Sequence, residues 1–518
     1  MTAAHISNRT MGRRSRSIMR RAVALIAAPV VIGTIACTDS NVPYFTAPTG
    51  VDASPGGIQN AMTGVFAAAR LDVSTYIYWM PMFARDVAQI WIDNPQNVQF
   101  GTGLTPISTG GTGIWDNSYR AAAAARAVIA AVPNVSPAYT SQQAAALIGV
   151  AQTMEAVAYM MVAETRDTLG VPIYPATGST VGPVLCAKDA WAAIVALLDS
   201  ANASLTTAGA IPIPVKLPPG FGSVSATAGP STAQGSFAAL NRALAAKAGL
   251  QLAYAIARSS AGTSPTPTTA GTLDGPTLTR ADSAATNSAL FYTTTPLAPP
   301  AAGGFADNSS GVYWDYSGQS GDAVNPMNQF LSTWRTLSYL TTDVDTANDK
   351  RFLNKFVPNT ANALQIPVDA FMNTNWLFNG YSSANSPVPL IRNESLILYD
   401  AQIQLGLGNL ANAINLINIE HQQAGGYGSP LTIAATYTAV RDTLLKEQRI
   451  ATVFEASGDR DISIRMYNLA STVDTTWSSA VAKTATGNAS QVDLHTTVVP
   501  IPASELAGRG GTYTVTCP

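Results

Sequence analysis

The chain has 518 residues, with 29 Lys and Arg against 31 Asp and Glu, and a formal net charge of −2. Only 12% of residues are charged, against about 25% in an average soluble chain, so Ser, Thr, Asn, Gln and Gly must supply the polar surface. No basic cluster follows the N-terminal segment, which argues against nucleic acid or anionic lipid as the partner and suits neutral polar ligands, sugars among them.

The first landmark in chain order is a basic block, Arg13, Arg14, Arg16, Arg20 and Arg21, followed by an apolar run from Ala22 to Ile35 and then polar Thr38-Asp39-Ser40-Asn41. A charged start, a short apolar core and a small residue before the break are the parts of a secretory signal. The run is shorter than the about 20 residues that span a bilayer. Its end, Ala36-Cys37, resembles a bacterial lipobox, in which the thiol is acylated and becomes the new N-terminus. Ordinary secretion with Cys37 left unmodified is the alternative. The expectation is a signal over residues 1–36 and one mature domain over 37–518, lipid-anchored at Cys37.

Ala-rich stretches with apolar residues at helical spacing predict helices over Ile58–Leu71, Trp115–Val132, Ala144–Leu169, Ala187–Ala208 and Phe237–Ala257. The second stops at Pro133. Ile211–Gly235 is rich in Pro and Gly and reads as a long loop. Ser259–Arg280 is low-complexity Ser, Thr, Pro and Gly, which predicts an exposed loop. Leu297–Pro389 holds turns and aromatics with little periodicity, so residues from about 258 to 390 read as an irregular, surface-forming region. Helices resume at Glu394–Leu407, Leu410–Gln423 and Ala434–Ala456, and the short Gly406-Leu407-Gly408-Asn409 break marks an αα-hairpin. Paired antiparallel helices of this kind bury their apolar faces as tetratricopeptide-like scaffolds do. The fold class is therefore mostly α, a paired-helix scaffold with long irregular insertions carrying the ligand surface.

Catalytic signatures do not emerge. Of three histidines, His421 and His495 stand isolated in the body, and no G-x-S-x-G elbow, P-loop, H-E-x-x-H or G-x-G-x-x-G occurs. No cofactor or metal is implied. Cys186 and Cys517 lack a second Cys or His at metal-ligand spacing. In an oxidising compartment they fit a disulfide tying the tail to the body, or two separate thiols. A carboxylate pair for glycoside hydrolysis, assembled from distant positions, stays open.

A series of landmarks follows in order: Glu155-Ala156-Val157-Ala158-Tyr159, Leu169-Gly170-Val171-Pro172-Ile173, Ala245-Ala246-Lys247-Ala248, Asp349-Lys350-Arg351-Phe352 and Arg392-Asn393-Glu394 through Tyr399. Ala424-Gly425-Gly426, Glu447-Gln448-Arg449, Phe454-Glu455, Arg460, Arg465 and Pro500-Ile501-Pro502 with Glu505 complete it. This order resembles the SusD/RagB family of outer-membrane lipoproteins over nearly the whole mature chain. Two departures are that Gly170 meets Val171 directly and that Asp400-Ala401-Gln402 replaces an Ala-Glu-Ala triplet. The resemblance implies a tetratricopeptide-like fold and a surface role as the lid of a SusC-like TonB-dependent barrel transporter, capturing oligosaccharide or another polar nutrient. A glycan-processing enzyme on a helical scaffold, or a protein-binding assembly module, are the alternatives.

Glu447, Arg449, Glu455, Arg460 and Arg465 lie on or beside a late helix, where opposite charges a turn apart can pair, and read as structural. Gly170-Val171-Pro172 reads as a helix stop. Ligand candidates are aromatics in irregular segments, because pyranose C–H faces lie against indole or phenol rings while amides and Arg bind hydroxyls. Trp91 with Asn94 forms one such platform, and Trp314 with Tyr316 a second, with Trp334 and Arg335 beyond. Trp115 and Trp191 sit in predicted helices and read as core.

Overall fold

Small residues decide how closely the helices of this protein pack. The computed structural model describes residues 51–71, 73–84, 86–89, 109–135, 138–173, 183–218, 237–261, 273, 275–287, 304–305, 334–336, 338–358, 376–378, 388–455, 459–470, 498–509 and 517. The first helices are α1 (Pro55–Arg70), α2 (Val73–Phe83), α3 (Thr109–Ala131) and α4 (Ser141–Glu164). Then come α5 (Ala187–Ala208), α6 (Phe237–Ala261) and α7 (Gly275–Asn287). From α3 to α7 each helix packs on the next, and α1 packs on α3. This stacking is the tetratricopeptide-like, mostly helical class read from the periodicity.

Helix α4 is the centre of the stack. Thr140 and Gln143 form a capping box at its start, with the Gln143 N–H donating to Thr140 Oγ1 at 3.2 Å and the Thr140 N–H to Gln143 Oε1 at 2.9 Å. It is long and apolar enough to cross a membrane, but 83% of its most apolar window is buried inside the fold. A helix that is apolar all round and covered on every side is a core helix. At Gly149 an added Cβ would lie 2.6 Å from Leu205 Cγ, so α4 and α5 touch nearly backbone to side chain.

Three expectations change. Helix α4 stops at Glu164, five residues before the predicted Leu169, because the next turn is held by the C-terminal tail. There the Val499 N–H donates to Thr165 O at 2.8 Å, and buried Arg166 donates to the Val499 carbonyl. Gly170 is therefore no helix stop. It is required by close approach, since a Cβ there would sit 1.4 Å from Leu185 O, where β2 (Val171–Pro172) pairs with β3 (Val184–Leu185). The loop predicted over Ser259–Arg280 is shorter than read: α6 extends to Ala261 and α7 begins at Gly275. Leu278, Ala281 and Ala285 of α7 are buried, and Gly249 of α6 admits Ala281 so closely that a Cβ would meet it at 2.9 Å. Helix α2 had no prediction at all, and Pro81 lies inside it.

The second half of the chain mixes short strands with helices. Strands β1 (Val87–Gln89), β5 (Trp334–Thr336), β7 (Trp376–Phe378) and β6 (Phe356–Pro358) form an antiparallel sheet in the order β1-β5-β7-β6. Strand β4 (Gly304–Phe305) pairs with β8 (Val388–Pro389). Helices α8 (Ser338–Asp343) and α9 (Lys350–Lys355) flank the sheet strands in sequence. Helices α10 (Asn393–Gly406) and α11 (Leu410–Ile419) make the expected αα-hairpin, packing on each other across Leu407-Gly408-Asn409. Where the sequence predicted α11 to reach Gln423, the helix ends at Ile419 and one π-turn, Glu420–Ala424, takes over. Helix α12 (Tyr437–Ala451), capped by Thr436, and α13 (Asp459–Met466) follow, then α14 (Ala503–Gly508). Cys186 and Cys517 form a disulfide that ties residue 517 to the start of α5, which decides between the two readings of these cysteines.

Candidate ligand-binding site

The five residues singled out from the sequence, Cys37, Trp91, Asn94, Trp314 and Tyr316, lie outside the described residues. What the structure describes is the frame from which the two aromatic segments depart. Strand β1 ends at Gln89, and Gln89 is paired with Trp334, the first residue of β5. The chain leaving toward Trp91 and Asn94 and the chain arriving from Trp314 and Tyr316 therefore join the sheet at the same end of neighbouring strands.

One buried guanidinium holds the bases of both strands. Arg449 of α12 donates from Nε to Asp86 Oδ1 at 2.8 Å, just before β1, and its Nη1 donates to Asp343, at the end of the helix that follows β5. Arg460 reinforces the same turn, donating to Asp86 Oδ1 at 3.1 Å and to the Ala84 carbonyl at 2.6 Å. Arg449 is 1% exposed and Asp86 2%. A pair this deep is costly to break because the survivor is left as an uncompensated buried charge.

Two further clusters fix the rest of the junction. Asp349 caps α9 by accepting from the Arg351 N–H at 2.9 Å and pairs with the Arg351 guanidinium at 2.7 Å. Arg351 then reaches Glu420 at 3.1 Å and Glu447 at 2.6 Å, joining α9, the π-turn and α12. Gly426, at φ +78°, takes the left-handed conformation that turns the chain after the π-turn, and the Lys350 N–H donates to Gly425 O at 3.0 Å. His421 stacks on Tyr427 at 4.1 Å with Nδ1 3.3 Å from Glu447 Oε1, a satisfied structural histidine. In the other cluster Glu455 accepts from Arg392 Nε and Nη2 at 2.8 and 2.6 Å and pairs with Lys355 at 2.7 Å. Burial alone would raise the Glu455 carboxyl, but the charges of Arg392 and Lys355 outweigh it and hold it below the ordinary value. Phe454, beside it, adopts φ +60°, a strained geometry for a bulky residue, and this sets its ring 4.1 Å from Phe378 of β7. The structural reading of Glu447, Arg449, Glu455 and Arg460 holds for each of these contacts. Gln402, which ends the Asp400-Ala401-Gln402 triplet, donates to Ser463 Oγ at 2.9 Å and Tyr467 OH at 3.2 Å, keeping α10 on α13 without charge.

A fourth buried cluster joins α2, α4, α6, α10 and α13. Lys247 Nζ lies 2.6 Å from Glu164 Oε1 and 3.7 Å from Asp459 Oδ1, while Tyr76 OH donates to Glu164 and Tyr399 OH to Asp459. Burial first, then the adjacent carboxylates, raise both phenols well above their ordinary value, so they act as fixed donors. Arg465 completes the group, donating to the Glu164 carbonyl at 2.5 Å and pairing with Asp461 at 2.9 Å.

Beside this cluster lies a cavity of about 270 Å³ between the ends of α4, α5, α6 and α13. Trp191, read from the sequence as core, is 3% exposed yet lines it, together with Gln251, Thr168 and the Asp167–Arg258 pair. Arg258 Nη1 and Nη2 donate to the two Asp167 oxygens at 2.5 and 3.2 Å. Sequence reasoning missed this site, because Gln251 and Thr168 are unremarkable on their own helix and turn. Trp115, by contrast, is plain core, 3% exposed and 5.1 Å from the Tyr119 ring. Among the described residues no group of three His, Cys, Asp or Glu is placed to hold a metal ion.

The helical stack and the sheet at its side define a class of protein that solved structures already contain. A SusD superfamily protein from Bacteroides thetaiotaomicron superposes with a TM-score of 0.63 at 13% identity, covering 88% of this chain and 98% of that one. A SusD superfamily protein from Bacteroides vulgatus gives 0.59 at 14% identity over 89% and 98% of the two chains. A SusD-like carbohydrate binding protein from the same organism gives 0.55 at 13% identity over 80% and 83%. No family profile and no curated protein matches the sequence. The chain thus has the SusD-like fold over most of its length, at identities where only the fold is shared.

Proposed function

We propose that this protein is a surface-exposed, non-catalytic binding lipoprotein that captures a glycan or similar polar nutrient and passes it to a TonB-dependent barrel transporter in the outer membrane. The observation that carries the reading is the SusD-like fold, shared with a protein described as carbohydrate binding. The signal grammar ahead of Cys37 supports a mature chain anchored there through acyl groups on the outer face of the outer membrane. Trp91 with Asn94 and Trp314 with Tyr316 are the stacking platforms of this reading, supported by the Gln89–Trp334 register that starts their segments side by side. Of the three carboxylates lining the cavity, the two inner ones, Glu164 and Asp167, are each paired with a cation and Asp189 is exposed to solvent, which favours binding over acid–base chemistry.

Calorimetric titration with an oligosaccharide panel tests the proposal. Trp91→Ala or Trp314→Ala is expected to weaken binding about tenfold, near 1.4 kcal/mol, with the melting temperature unchanged. Unchanged affinity with a lowered melting temperature would make these tryptophans core. Release of reducing sugar by the clean protein would replace the binding role with an enzymatic one. Cys37→Ala should move the protein from the detergent phase to the aqueous phase.

A further inference from the structure

The cavity between α4, α5, α6 and α13 is lined by polar side chains that make no hydrogen bond among the described residues. Gln251 is 8% exposed and lines the cavity, yet its amide has no hydrogen-bond partner among the described residues. A carboxamide brings two N–H donors and an acceptor oxygen, and here they are accessible to a solute in the cavity. Neither the Trp191 indole N–H nor the Thr168 hydroxyl, both on the same wall, is hydrogen-bonded among the described residues. These are three polar side chains on three different elements facing one space. Their neighbours are structurally committed: Glu164 to Lys247, Arg465 to Asp461, and Arg258 to Asp167.

Charge and size narrow the occupant. The lining cations Lys188, Arg258 and Arg465 face the anions Glu164, Asp167 and Asp189, so the formal charges cancel and no net field selects an ion. The volume, about 270 Å³, falls just under the roughly 300–1,000 Å³ of pockets for larger ligands. That leaves room for one small ring and not for a chain. Lys188 and Asp189 are exposed, so the cavity reaches the surface and a solute can enter. The space is polar enough to hold water, and an occupant must therefore reproduce water's hydrogen bonds to be preferred.

We propose that this cavity is a second binding site, separate from the loop aromatics, for a neutral polyhydroxylated molecule of monosaccharide size. Its hydroxyls accept from the Trp191 N–H and exchange hydrogen bonds with the Gln251 amide and the Thr168 hydroxyl, while the indole supplies an apolar wall. The inference stands on the cavity alone and survives if the loop aromatics prove to be core.

The experiment uses the full mature chain labelled with 5-fluorotryptophan, with the Trp191 resonance assigned by Trp191→Phe. D-Glucose, D-galactose and myo-inositol are the neutral probes, with glycine and acetate as charged ones, each titrated to tens of millimolar. The expected result is a saturable shift of the Trp191 resonance by at least one neutral probe, and none by glycine or acetate. Gln251→Leu, which keeps the bulk and removes the amide, should weaken that probe about tenfold. Thr168→Val, near the mouth, should weaken it by a smaller factor and serves as the decisive variant should Gln251→Leu fail to fold. A Trp191 resonance indifferent to every neutral probe would mean a cavity filled by water only and would overturn the proposal. So would a shift produced by the charged probes alone, or undiminished affinity in the variant that folds.

Discussion

In the α3–α7 stack the spacing of the chain is set by side chains as small as a hydrogen atom; at the sheet junction it is set by guanidinium groups. Gly149 brings α4 against Leu205 of α5, and Gly249 brings α6 against Ala281 of α7. The junction instead closes on Arg449 with Asp86 and Asp343, on Arg351 with Glu420 and Glu447, and on Arg392 with Glu455. Helices that only need to lie side by side are served by nondirectional close packing. Strands that carry the ends of long segments need fixed directions, and charge-assisted hydrogen bonds supply them.

The largest break in this comparison is expected at Arg449. Arg449→Met leaves Asp86 to Arg460 alone and Asp343, at the end of α8, to the exposed Lys446, and should cost about 3 kcal/mol in urea denaturation, the low end for a broken buried pair. Hydrogen exchange at β1 and β5 should rise most, while α4 and α5 stay protected. Equal loss of protection in both regions would mean they unfold as one unit. Next comes the disulfide, which spans a sequence separation of 331 residues. The double change Cys186→Ser with Cys517→Ser should lower stability by about 2–4 kcal/mol and expose the tail to limited proteolysis, with the α9–α13 junction unaffected.

A third expectation separates the regions by pH. Within the stack, burial raises the Glu155 carboxyl to about 7 against the hydrogen bond from Tyr159 and the charge of Arg126. A raised acid favours the fold while protonated, so its contribution is complete below about 4.3, the unfolded value, and is lost as pH climbs through about 7. Glu155→Gln removes this dependence: equal to the native chain at pH 4, it should be more stable by up to about 3 kcal/mol at pH 8. In the junction Glu420 follows Glu155, raised to about 8 chiefly by burial, but two other carboxylates reverse the sign. Glu455 and Glu447 are held below the ordinary carboxylate value, burial being outweighed by Arg392 and Arg351. Their contribution is present above about 4.3 and is lost as pH falls through their lowered folded values. Exchange profiles at pH 3.5 should therefore show the junction loosening before the stack. The smallest effect is Gly149→Ala, whose Cβ would crowd Leu205 and should cost about 1 kcal/mol, independent of pH.

Much of the architecture was legible because periodicity and composition act locally. The helix Ala187–Ala208 was read to both ends, since its apolar spacing runs unbroken to the capping Gly209, and the αα-hairpin followed from a short glycine-bearing break. The ordered landmarks carried the fold, and their charges form buried ion pairs, as the structural reading expected. Harder to read were features whose cause lies far along the chain. Nothing local ends α4 at Glu164; Val499, more than three hundred residues on, does so through Thr165 and Arg166. Helix α7 looked like loop because its Gly, Pro, Thr, Ser and Asn residues have weak intrinsic preference and become helical by packing on α6. Gly170 was noticed for the wrong reason, since a close approach from β3 is invisible in one dimension.

The sequence by itself determined the helical class and the paired-helix stacking, and it named the residues to test as a stacking surface, because each rests on neighbours within a few turns of chain. Only the tertiary structure decided that Cys186 meets Cys517, that Asp86 and Asp343 share Arg449, and that Gln251, Thr168 and Trp191 face one cavity. Those meetings depend on how helices cross in space, and a linear pattern fixes which face a helix buries without fixing what it is buried against.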